Sequence, residues 1–499
     1  MSETHGLKLN VPRTVLVGLA FFTICMFWQV YDSLMPLFLK DFDFGATLRG
    51  VIMALDNVLA VVLLPFMGIW SDRFPMKLRN KVGRRMPFIV CGSVLAACTF
   101  MLVNFAHNSH NLALMLAATA FVLVFMCLYR SPAVALMPDI TPKPIRSNAN
   151  AIINLMGTIG GVITLILMQF LLKTEADPAT GELYIVGNNW ILVSIISGLM
   201  IIATVVMILK VRENRFAEES REIMAKLEVV DDEEEKPQEK QSMKKVLGTL
   251  TRPQLKSLIF ILLSVFLWYM AYNALTTHFS AFSLSVLKAK FTLPLLVANA
   301  AAFVMFLPAV KIGKKLGRKK TVMLGVSMMI LGLAFASVFL LAGASANVIK
   351  VIMYPTFVLV GGGWATINVH SYIMCVELSD ESTTGTYTGL YYAFSMTAQI
   401  ITPILAGLVM DYISVIGLVP YSLVFACLAL VTMIFVRHGN AKDVEHIDNN
   451  GDSDENGEKE KREEEFSEVE ISEYSETEAL NTALFDESSE EADDLRENG

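Results

Sequence analysis

Twelve long apolar runs constrain this chain more than any other feature of its sequence. A membrane-spanning helix needs about 20 apolar residues, because the hydrocarbon core of a bilayer is about 30 Å thick. Only helices and closed barrels satisfy every backbone polar group in lipid, and the runs are too long for strands. They lie near residues 15–40, 46–71, 87–105, 112–138, 147–172, 189–210, 254–280, 293–311, 321–342, 348–376, 384–410 and 418–437. The sequence therefore predicts an all-α membrane protein with twelve transmembrane helices.

The charges of the loops predict how these helices are oriented. Lys and Arg concentrate in loops that stay on the cytoplasmic side of a membrane. The opposite loops near 106–111 and 411–417 contain neither residue, so both termini are expected in the cytoplasm. We expect a multi-pass protein of the cell membrane, typically a bacterial inner membrane. The basic loops follow the second, fourth and eighth runs: Arg73, Lys77, Arg79, Lys81, Arg84 and Arg85; Lys143 and Arg146; Lys311, Lys314, Lys315, Arg318, Lys319 and Lys320.

Charge and hydropathy also divide the chain into segments. We expect a cytoplasmic N-terminus (1–14), two six-helix bundles (15–210 and 254–437), a cytoplasmic linker (211–253) and an acidic tail (438–499). Residues 440–499 carry 23 acidic and 5 basic residues, so with a chain net charge of −8 the other 439 residues carry +10. A block of like charge with few aromatic residues is typical of a disordered segment.

The two bundles repeat each other. Gly83-Arg84-Arg85 after the second run corresponds to Gly317-Arg318-Lys319 after the eighth, at an offset of 234 residues. Asp139 corresponds in the same way to Glu377, at an offset of 238. Repeated helical halves related by a pseudo-two-fold axis, with a site between them, are a transporter architecture.

The basic loop after the second run also carries a family resemblance. Gly68-x-x-x-Asp72-Arg73…Gly83-Arg84-Arg85 resembles the signature of the major facilitator superfamily. Nine residues, 74–82, separate the two parts of this signature, whereas most members of the superfamily have one residue there. This longer insert resembles that of the sucrose/proton symporter branch and of the related glycoside and sugar carriers. The resemblance is to a bacterial-type homologue of that branch. Other matching stretches are Leu55-Asp56-Asn57, residues 135–142, residues 154–157 and residues 388–392. The resemblance implies the major facilitator fold and transport by alternating access.

Two departures from that pattern bear on function. Lys314 stands where the second-half signature has an Asp, so only the first half keeps the acid–base loop intact. The sucrose symporters are expected to have an Arg near the position of Val134, whereas this chain has Arg130, four residues earlier. Positions four apart share a helix face, so Arg130 either fills the same role or indicates a different substrate.

Asp32, Asp56 and Arg130 are the predicted proton-coupling residues. A charge near the bilayer centre costs about 2.5–3.5 kcal/mol on translocon scales, so such residues face a cavity or a partner. We expect Arg130 to form a breakable ion pair with one of the two carboxylates. The structural alternatives are a hydrogen bond beside Asn57 for Asp56, a hydrated helix-end carboxylate for Asp32, and a snorkelling side chain for Arg130.

A second group of charges lies at the predicted cytoplasmic helix ends. We expect Asp72, Arg84, Arg85 and Asp139 to bridge the second, third and fourth helices while the outward-open state persists. The alternative is that these charges only set topology and remain solvated. The full predicted gate comprises Asp72, Arg73, Gly83, Arg84, Arg85, Asp139, Arg146 and Glu377.

The predicted substrate site combines amides and aromatic rings. Rings stack on sugar faces and amides bind hydroxyl groups, which suits a neutral polyhydroxylated solute. In membrane helices such rings also serve packing and interface anchoring. A histidine in a helix, such as His370, is either titratable near neutral pH or a neutral hydrogen-bonding group. The predicted residues are Gln29, Asn57, Tyr269, Asn273, Trp364, Asn368, His370, Tyr391 and Gln399.

These patterns predict a proton-coupled sugar or glycoside symporter. Alternatives are a Na⁺-coupled or exporting transporter of another small polar solute, and a transporter-like sensor acting through the acidic tail. A membrane enzyme is disfavoured, because the sequence has no nucleophile–base set. The Gly361-Gly362-Gly363 run lacks the Gly-Lys-Ser/Thr of a phosphate loop. We expect no cofactor, no metal site and no nucleic-acid partner, and we expect a monomer in the lipid bilayer.

Overall fold

The computed structural model of the chain confirms the all-α membrane fold. It describes residues 9–72, 82–142, 145–187, 189–226, 250–378 and 383–438. Within these ranges, twelve helices are long and apolar enough to span a bilayer. They form two six-helix halves in the order that the sequence predicts. The chain is thus a multi-pass membrane protein.

The first half contains six spanning helices. They are α1 (Val11–Asp41), α2 (Ala46–Asp72), α3 (Met86–Asn108), α4 (Leu112–Ile140), α5 (Arg146–Leu171) and α6 (Trp190–Lys210). Successive helices run in opposite directions. We call the face with the Asp72 end of α2 the charged face, and the face with the turn between Asp41 and Ala46 the distal face.

The second half repeats this arrangement after an extra helix, α7 (Glu213–Lys226), which lies in the predicted linker. Its first helix, α8, continues into a π-helical turn, Ser283–Leu287. A short 3₁₀ turn, Val415–Gly417, precedes its last helix. The six spanning helices are α8 (Arg252–Phe282), α9 (Thr292–Leu316), α10 (Arg318–Leu341), α11 (Ala346–Val376), α12 (Thr384–Tyr412) and α13 (Leu418–Ile434).

A small β-hairpin on the distal face departs from the all-helical expectation. Strands β1 (Lys173–Ala176) and β2 (Leu183–Val186) pair antiparallel between α5 and α6. Its turn is closed by Asp177, whose carboxylate accepts hydrogen bonds from the backbone of Ala179 and the hydroxyl of Thr180, both at 2.9 Å. These bonds hold the pKa of this exposed carboxyl below its ordinary value.

The two halves meet closely at the distal end of α2. A Cβ at Gly50 would collide with the Pro403 carbonyl of α12, and one at Gly407 of α12 would lie 2.5 Å from the Ala46 carbonyl. Other faces of α2 expose large side chains along its length, from Leu48 at 47% to Phe66 at 69%. The distal end of α2 is therefore packed closely against α12 of the other half.

Candidate functional site

Two carboxylates, Asp32 of α1 and Asp56 of α2, lie within electrostatic range of each other. Both side chains are half-buried among apolar helices. Tyr31 of α1 is close enough to sense both charges. The structure thus brings together the two acids that the sequence singles out, on neighbouring helices of the first half.

Asp56 forms local hydrogen bonds with its neighbour. Its Oδ1 accepts from the Asn57 backbone nitrogen at 2.5 Å and from the Asn57 side-chain Nδ2 at 2.6 Å. The structural hydrogen bond considered as an alternative for Asp56 is therefore present. It uses one carboxylate oxygen, which leaves the other oxygen for a proton or a further ligand.

A small cavity adjoins Asp56 between α1, α2 and α4. Its volume is about 10 Å³, which is close to the space that one water molecule needs. Its lining comprises Trp28, Asp56, Asn57, Ala60, Leu64, Leu123, Met126, Cys127 and Arg130.

Arg130 of α4 lines the same cavity and acts on Asp56 through space. Among the described residues, no ion pair within 4.0 Å joins Arg130 to Asp32 or Asp56. The expected ion pair is therefore not formed in this conformation. Arg130 is exposed. Its guanidinium group therefore stays hydrated and avoids the desolvation cost of forming a buried ion pair.

The second half places aromatic rings opposite Asp32. Tyr272 of α8 is close enough to sense the charge of Asp32 in α1. The Tyr272 ring stacks on Trp364 of α11 with centroids 5.6 Å apart, and Phe306 of α9 meets the same indole edge-on at 5.9 Å. These three rings form an aromatic wall, Tyr272–Trp364–Phe306, whose Tyr272 end lies near Asp32 across the boundary between the halves.

Two predicted tyrosines extend the polar part of this region. The hydroxyls of Tyr269 and Tyr391 are hydrogen-bonded to each other across α8 and α12. The Tyr391 hydroxyl also bonds to Ser371 of α11 at 2.9 Å. These contacts link three helices of the second half near the aromatic wall.

The predicted amides mainly bond within their own helices. Asn273 and Asn368 donate to the carbonyls of Tyr269 at 3.0 Å and Trp364 at 2.9 Å. Gln399 donates to the Ser395 carbonyl at 3.3 Å, and Gln29 to the Ser33 hydroxyl at 3.4 Å. One donor of each amide is thus used locally, and its acceptor oxygen is not used in these bonds.

His370 has the contacts of a packing residue. It is buried, and its Nε2 donates to the Ala309 carbonyl of α9 at 3.0 Å. A Cβ at Gly313 of α9 would collide with the imidazole ring. This side chain therefore joins α9 to α11 through a hydrogen bond and close packing.

At the charged face, the predicted charges form one compact cluster. Arg84 lies 2.7 Å from Asp139 and 3.6 Å from Asp72, and Arg85 lies 2.7 Å from Asp72 and 2.9 Å from Asp139. Arg85 also donates to the Ser71 hydroxyl. Partial burial lowers the pKa of Arg84, but its bond to Asp139 and the nearby acids outweigh this, so the pKa lies above its ordinary value.

Glu213 completes this cluster, although no sequence pattern indicates it. From the first turn of α7, its carboxylate accepts hydrogen bonds from the backbone nitrogens of Arg84 at 2.8 Å, Arg85 at 2.9 Å and Met86 at 3.0 Å. It thereby caps α3, whose first amides lack partners within the helix. Gly83 approaches the same carboxylate with φ of +89°, a conformation that favours glycine.

The ion pairs of this cluster lie within the first half, and Glu213 joins the cluster from the linker helix α7. The ion pairs that Arg84 and Arg85 form with described residues join α2, α4 and the start of α3, which are the helices that we expected these charges to bridge. Because these partners belong to one bundle, the described contacts brace that bundle and do not fasten the halves together. Arg73 lies outside the described residues.

The second half repeats part of this cluster. Arg318, at the start of α10, forms an ion pair with Glu377 at the end of α11, as Arg84 does with Asp139. Gly317 precedes it with φ of +82°. Arg146 differs from expectation, since it donates to the carbonyls of Thr141 at 3.0 Å and Pro138 at 2.8 Å and thereby caps α4.

Twelve spanning helices in two repeated halves, with polar residues facing each other at their boundary, define the fold of a secondary transporter. The Major Facilitator Superfamily model matches residues 17–403, and the chain belongs to this family. It is therefore a transporter of a small solute and not an enzyme.

Curated relatives match over part of their length. Sucrose transport protein SUC3 from Arabidopsis thaliana is 26% identical over 155 residues, which cover 27% of this chain and 25% of that protein. A Na⁺, Li⁺, K⁺/H⁺ antiporter from Planococcus maritimus is 30% identical over 139 residues, covering 28% and 30%. The chain thus spans about a quarter of the length of the sucrose transport protein.

Solved structures match the whole fold. A bacterial homologue of the iron transporter ferroportin in an inward-facing state has a TM-score of 0.60 at 13% identity, covering 86% of this chain and 99% of that one. The nucleoside transporter NupG has a TM-score of 0.58 at 15% identity, covering 85% and 98%. At these identities the likeness concerns the fold.

Proposed function

We propose that the protein is a proton-coupled symporter of a sugar or glycoside. The observation that supports this most directly is the position of Asp32. It lies within electrostatic range of Asp56 in its own half and of Tyr272 in the other half. A proton-binding carboxylate is thereby close to a wall of stacked rings, across the boundary at which a transporter binds its solute.

The charged residues of the first half and the aromatic residues of the second half have different proposed roles. Asp32 and Asp56, with Arg130 nearby, exchange the coupling proton as the cavity alternates its access. The aromatic wall and the tyrosine pair Tyr269–Tyr391 bind the solute, since rings offer flat apolar faces and hydroxyls offer hydrogen bonds. The likeness of the chain to sucrose transport proteins agrees with this substrate class.

We place the charged face in the cytoplasm, because it carries the basic loops of both halves. The close contact of α2 with α12 at the distal face is the contact that we expect in an inward-facing state. We assign the two bundles that move against each other to residues 15–210 and 254–437. Asp72, Arg84, Arg85, Asp139 and Glu213 brace the cytoplasmic end of the first bundle throughout the cycle.

The decisive experiment is uptake by the purified protein in liposomes. A panel of labelled mono- and disaccharides is supplied with an inward proton gradient, with an inward Na⁺ gradient and with neither. We expect accumulation of at least one sugar or glycoside driven by the proton gradient, with the solute recovered unmodified. Lack of binding and uptake for the whole panel, in protein that is folded and monodisperse, would refute the sugar assignment.

A second candidate is cation/proton exchange, which the Planococcus maritimus relative favours. Two neighbouring carboxylates can exchange one cation for protons as well as they can carry a coupling proton. The same liposomes, loaded with a pH-sensitive dye, separate the two. Dye dequenching on addition of NaCl or KCl without sugar indicates exchange, whereas a response that requires sugar indicates symport.

A further inference from the structure

At the distal face, the second half holds two helix ends of the first half with oppositely charged side chains. In one place Asp411 of α12 binds the start of α2, and in the other Lys290, just before α9, binds the end of α5. We propose that Asp411 and Lys290 are the gating residues that keep the distal face closed. This proposal concerns the closure of the distal face and does not depend on the identity of the solute.

Asp411 acts as an N-cap supplied by another part of the chain. Its Oδ1 accepts from the Ala46 backbone nitrogen and its Oδ2 from that of Thr47, both at 2.7 Å. These are the first two residues of α2, whose amides have no acceptor within the helix. A carboxylate at this end also complements the positive pole of the helix dipole. The same bonds therefore stabilise α2 and fasten it to α12.

Lys290 makes the complementary contact at a helix C-terminus. Its Nζ donates to the carbonyls of Gln169 at 3.0 Å and Leu172 at 2.6 Å, in the last turn of α5 and just beyond it. A cation at this end complements the negative pole of the dipole and satisfies carbonyls that the helix leaves free. Thr292 of α9 adds a hydrogen bond to the Gln169 side chain.

The two contacts have a common geometry. In each, a helix that starts at the distal face meets a helix that ends there, and the partners belong to different halves. The charged side chain comes from the second half each time, with the sign that suits the pole it meets. The glycine contacts of Gly50 and Gly407 bring α2 and α12 together around Asp411. Opening the distal face by separating the halves must break both contacts.

The experiment removes one of the two contacts by mutation and measures the distance between the halves at the other contact. Spin labels at Phe170 of α5 and Leu293 of α9, which are 81% and 39% exposed, report on the Lys290 contact and are used with Asp411→Asn. Labels at Leu48 of α2 and Tyr412 of α12, 47% and 82% exposed, report on the Asp411 contact and are used with Lys290→Gln. All variants are made in a protein whose six native cysteines are replaced by serine. Pulsed electron–electron double resonance measures the distance between the two spin labels.

We expect each variant to add a longer distance at the remote label pair. Loss of one cap corresponds to a rise of roughly 5- to 30-fold in the ratio of open to closed molecules. A cap that only stabilises its own helix would leave the remote distance unchanged. The matched controls are Asp41→Asn and Lys40→Gln, because Asp41 binds His107 and Lys40 binds Glu182 within the first half.

The outcomes are clear-cut. A longer distance in Asp411→Asn and Lys290→Gln, absent from both controls, supports the proposal. Unchanged remote distances in both variants, or equal changes in the controls, overturn it. If one variant fails to fold, the other still gives the answer, since each is read at a separate pair of labels. No solute is added, so failure of the sugar proposal and failure of the gate remain distinguishable.

Discussion

Glu213 binds the backbone nitrogen of Arg84 at 2.8 Å, although 129 positions separate the two residues in the sequence. Through this bond the segment after α6 reaches the turn that carries the family signature. The same carboxylate accepts from Arg85 and Met86, so one side chain positions the backbone from which both arginines extend. The ion pairs with Asp72 and Asp139 therefore depend on a residue outside the signature.

Replacing Glu213 with alanine should destabilise the protein. The change leaves three backbone amides without their acceptor, and an unsatisfied buried group costs about 1–3 kcal/mol. We expect thermal unfolding in detergent to begin at a lower temperature, with a loss of about 2 kcal/mol. The control is Glu222→Ala in the same helix, because the Glu222 side chain is exposed and surface substitutions usually change stability by about 0.5 kcal/mol or less. An equal loss in both variants contradicts the capping role.

Replacing Gly83 with alanine should disturb the same turn for two reasons. Gly83 has φ of +89°, and a Cβ there would collide with the Glu213 carboxylate. Gly187 is the matched control, since it has φ of +87° but a Cβ added there would meet nothing within 4 Å. Backbone strain alone costs on the order of 1–3 kcal/mol. We expect Gly83→Ala to lower the unfolding temperature more than Gly187→Ala, and equal shifts would show that the contact with Glu213 contributes nothing.

Asp56→Asn should separate proton coupling from solute exchange. Asparagine keeps the size of the side chain and a hydrogen-bond acceptor for Asn57 but cannot carry the proton. We expect substrate-driven proton uptake to fall to background while counterflow exchange of labelled solute continues. Asp43→Asn is the control, because Asp43 lies in the exposed turn before α2 at the distal face. Unchanged uptake by Asp56→Asn at an imposed pH gradient would remove Asp56 from the coupling mechanism.

Arg130→Lys tests whether the guanidinium group itself is needed. Lysine keeps the positive charge near Asp56 but lacks the planar fork that binds a carboxylate through two bonds. We expect the transport rate to fall about tenfold, which corresponds to ~1.4 kcal/mol. Arg215→Lys serves as the control, since the Arg215 side chain is 65% exposed on α7. Full transport by Arg130→Lys would show that charge alone suffices.

The sequence predicted the features that depend on local pattern. Apolar run length located the twelve spans, and charged residues at helix ends located the Arg84–Asp139 pair. The repeat between the two halves also predicted an equivalent pair, because Arg318 pairs with Glu377 as Arg84 pairs with Asp139. Each of these signals lies within one segment or between two segments that the repeat relates.

The missed features depend on contacts between distant segments. Glu213 begins a short polar helix, and nothing in its neighbourhood indicates that it returns to the start of α3. Tyr272 lies one turn from the predicted Tyr269, and only the packing of α8 against α1 brings it near Asp32. The hairpin was missed because β1, Lys173–Ala176, is four residues long and lacks alternation of apolar side chains. The Glu213 cap, the position of Tyr272 and the hairpin therefore all depend on tertiary packing, which local sequence patterns do not show.

The β-hairpin on the distal face can serve as an epitope for a conformation-selective antibody fragment. It belongs to the first half, yet its Thr180 carbonyl accepts a hydrogen bond at 2.6 Å from Lys288 of the second half. An antibody fragment that recognises the hairpin and Lys288 together would bind one arrangement of the halves and release the other. Such a fragment would serve both as a fiducial for electron cryomicroscopy and as a conformation-selective inhibitor.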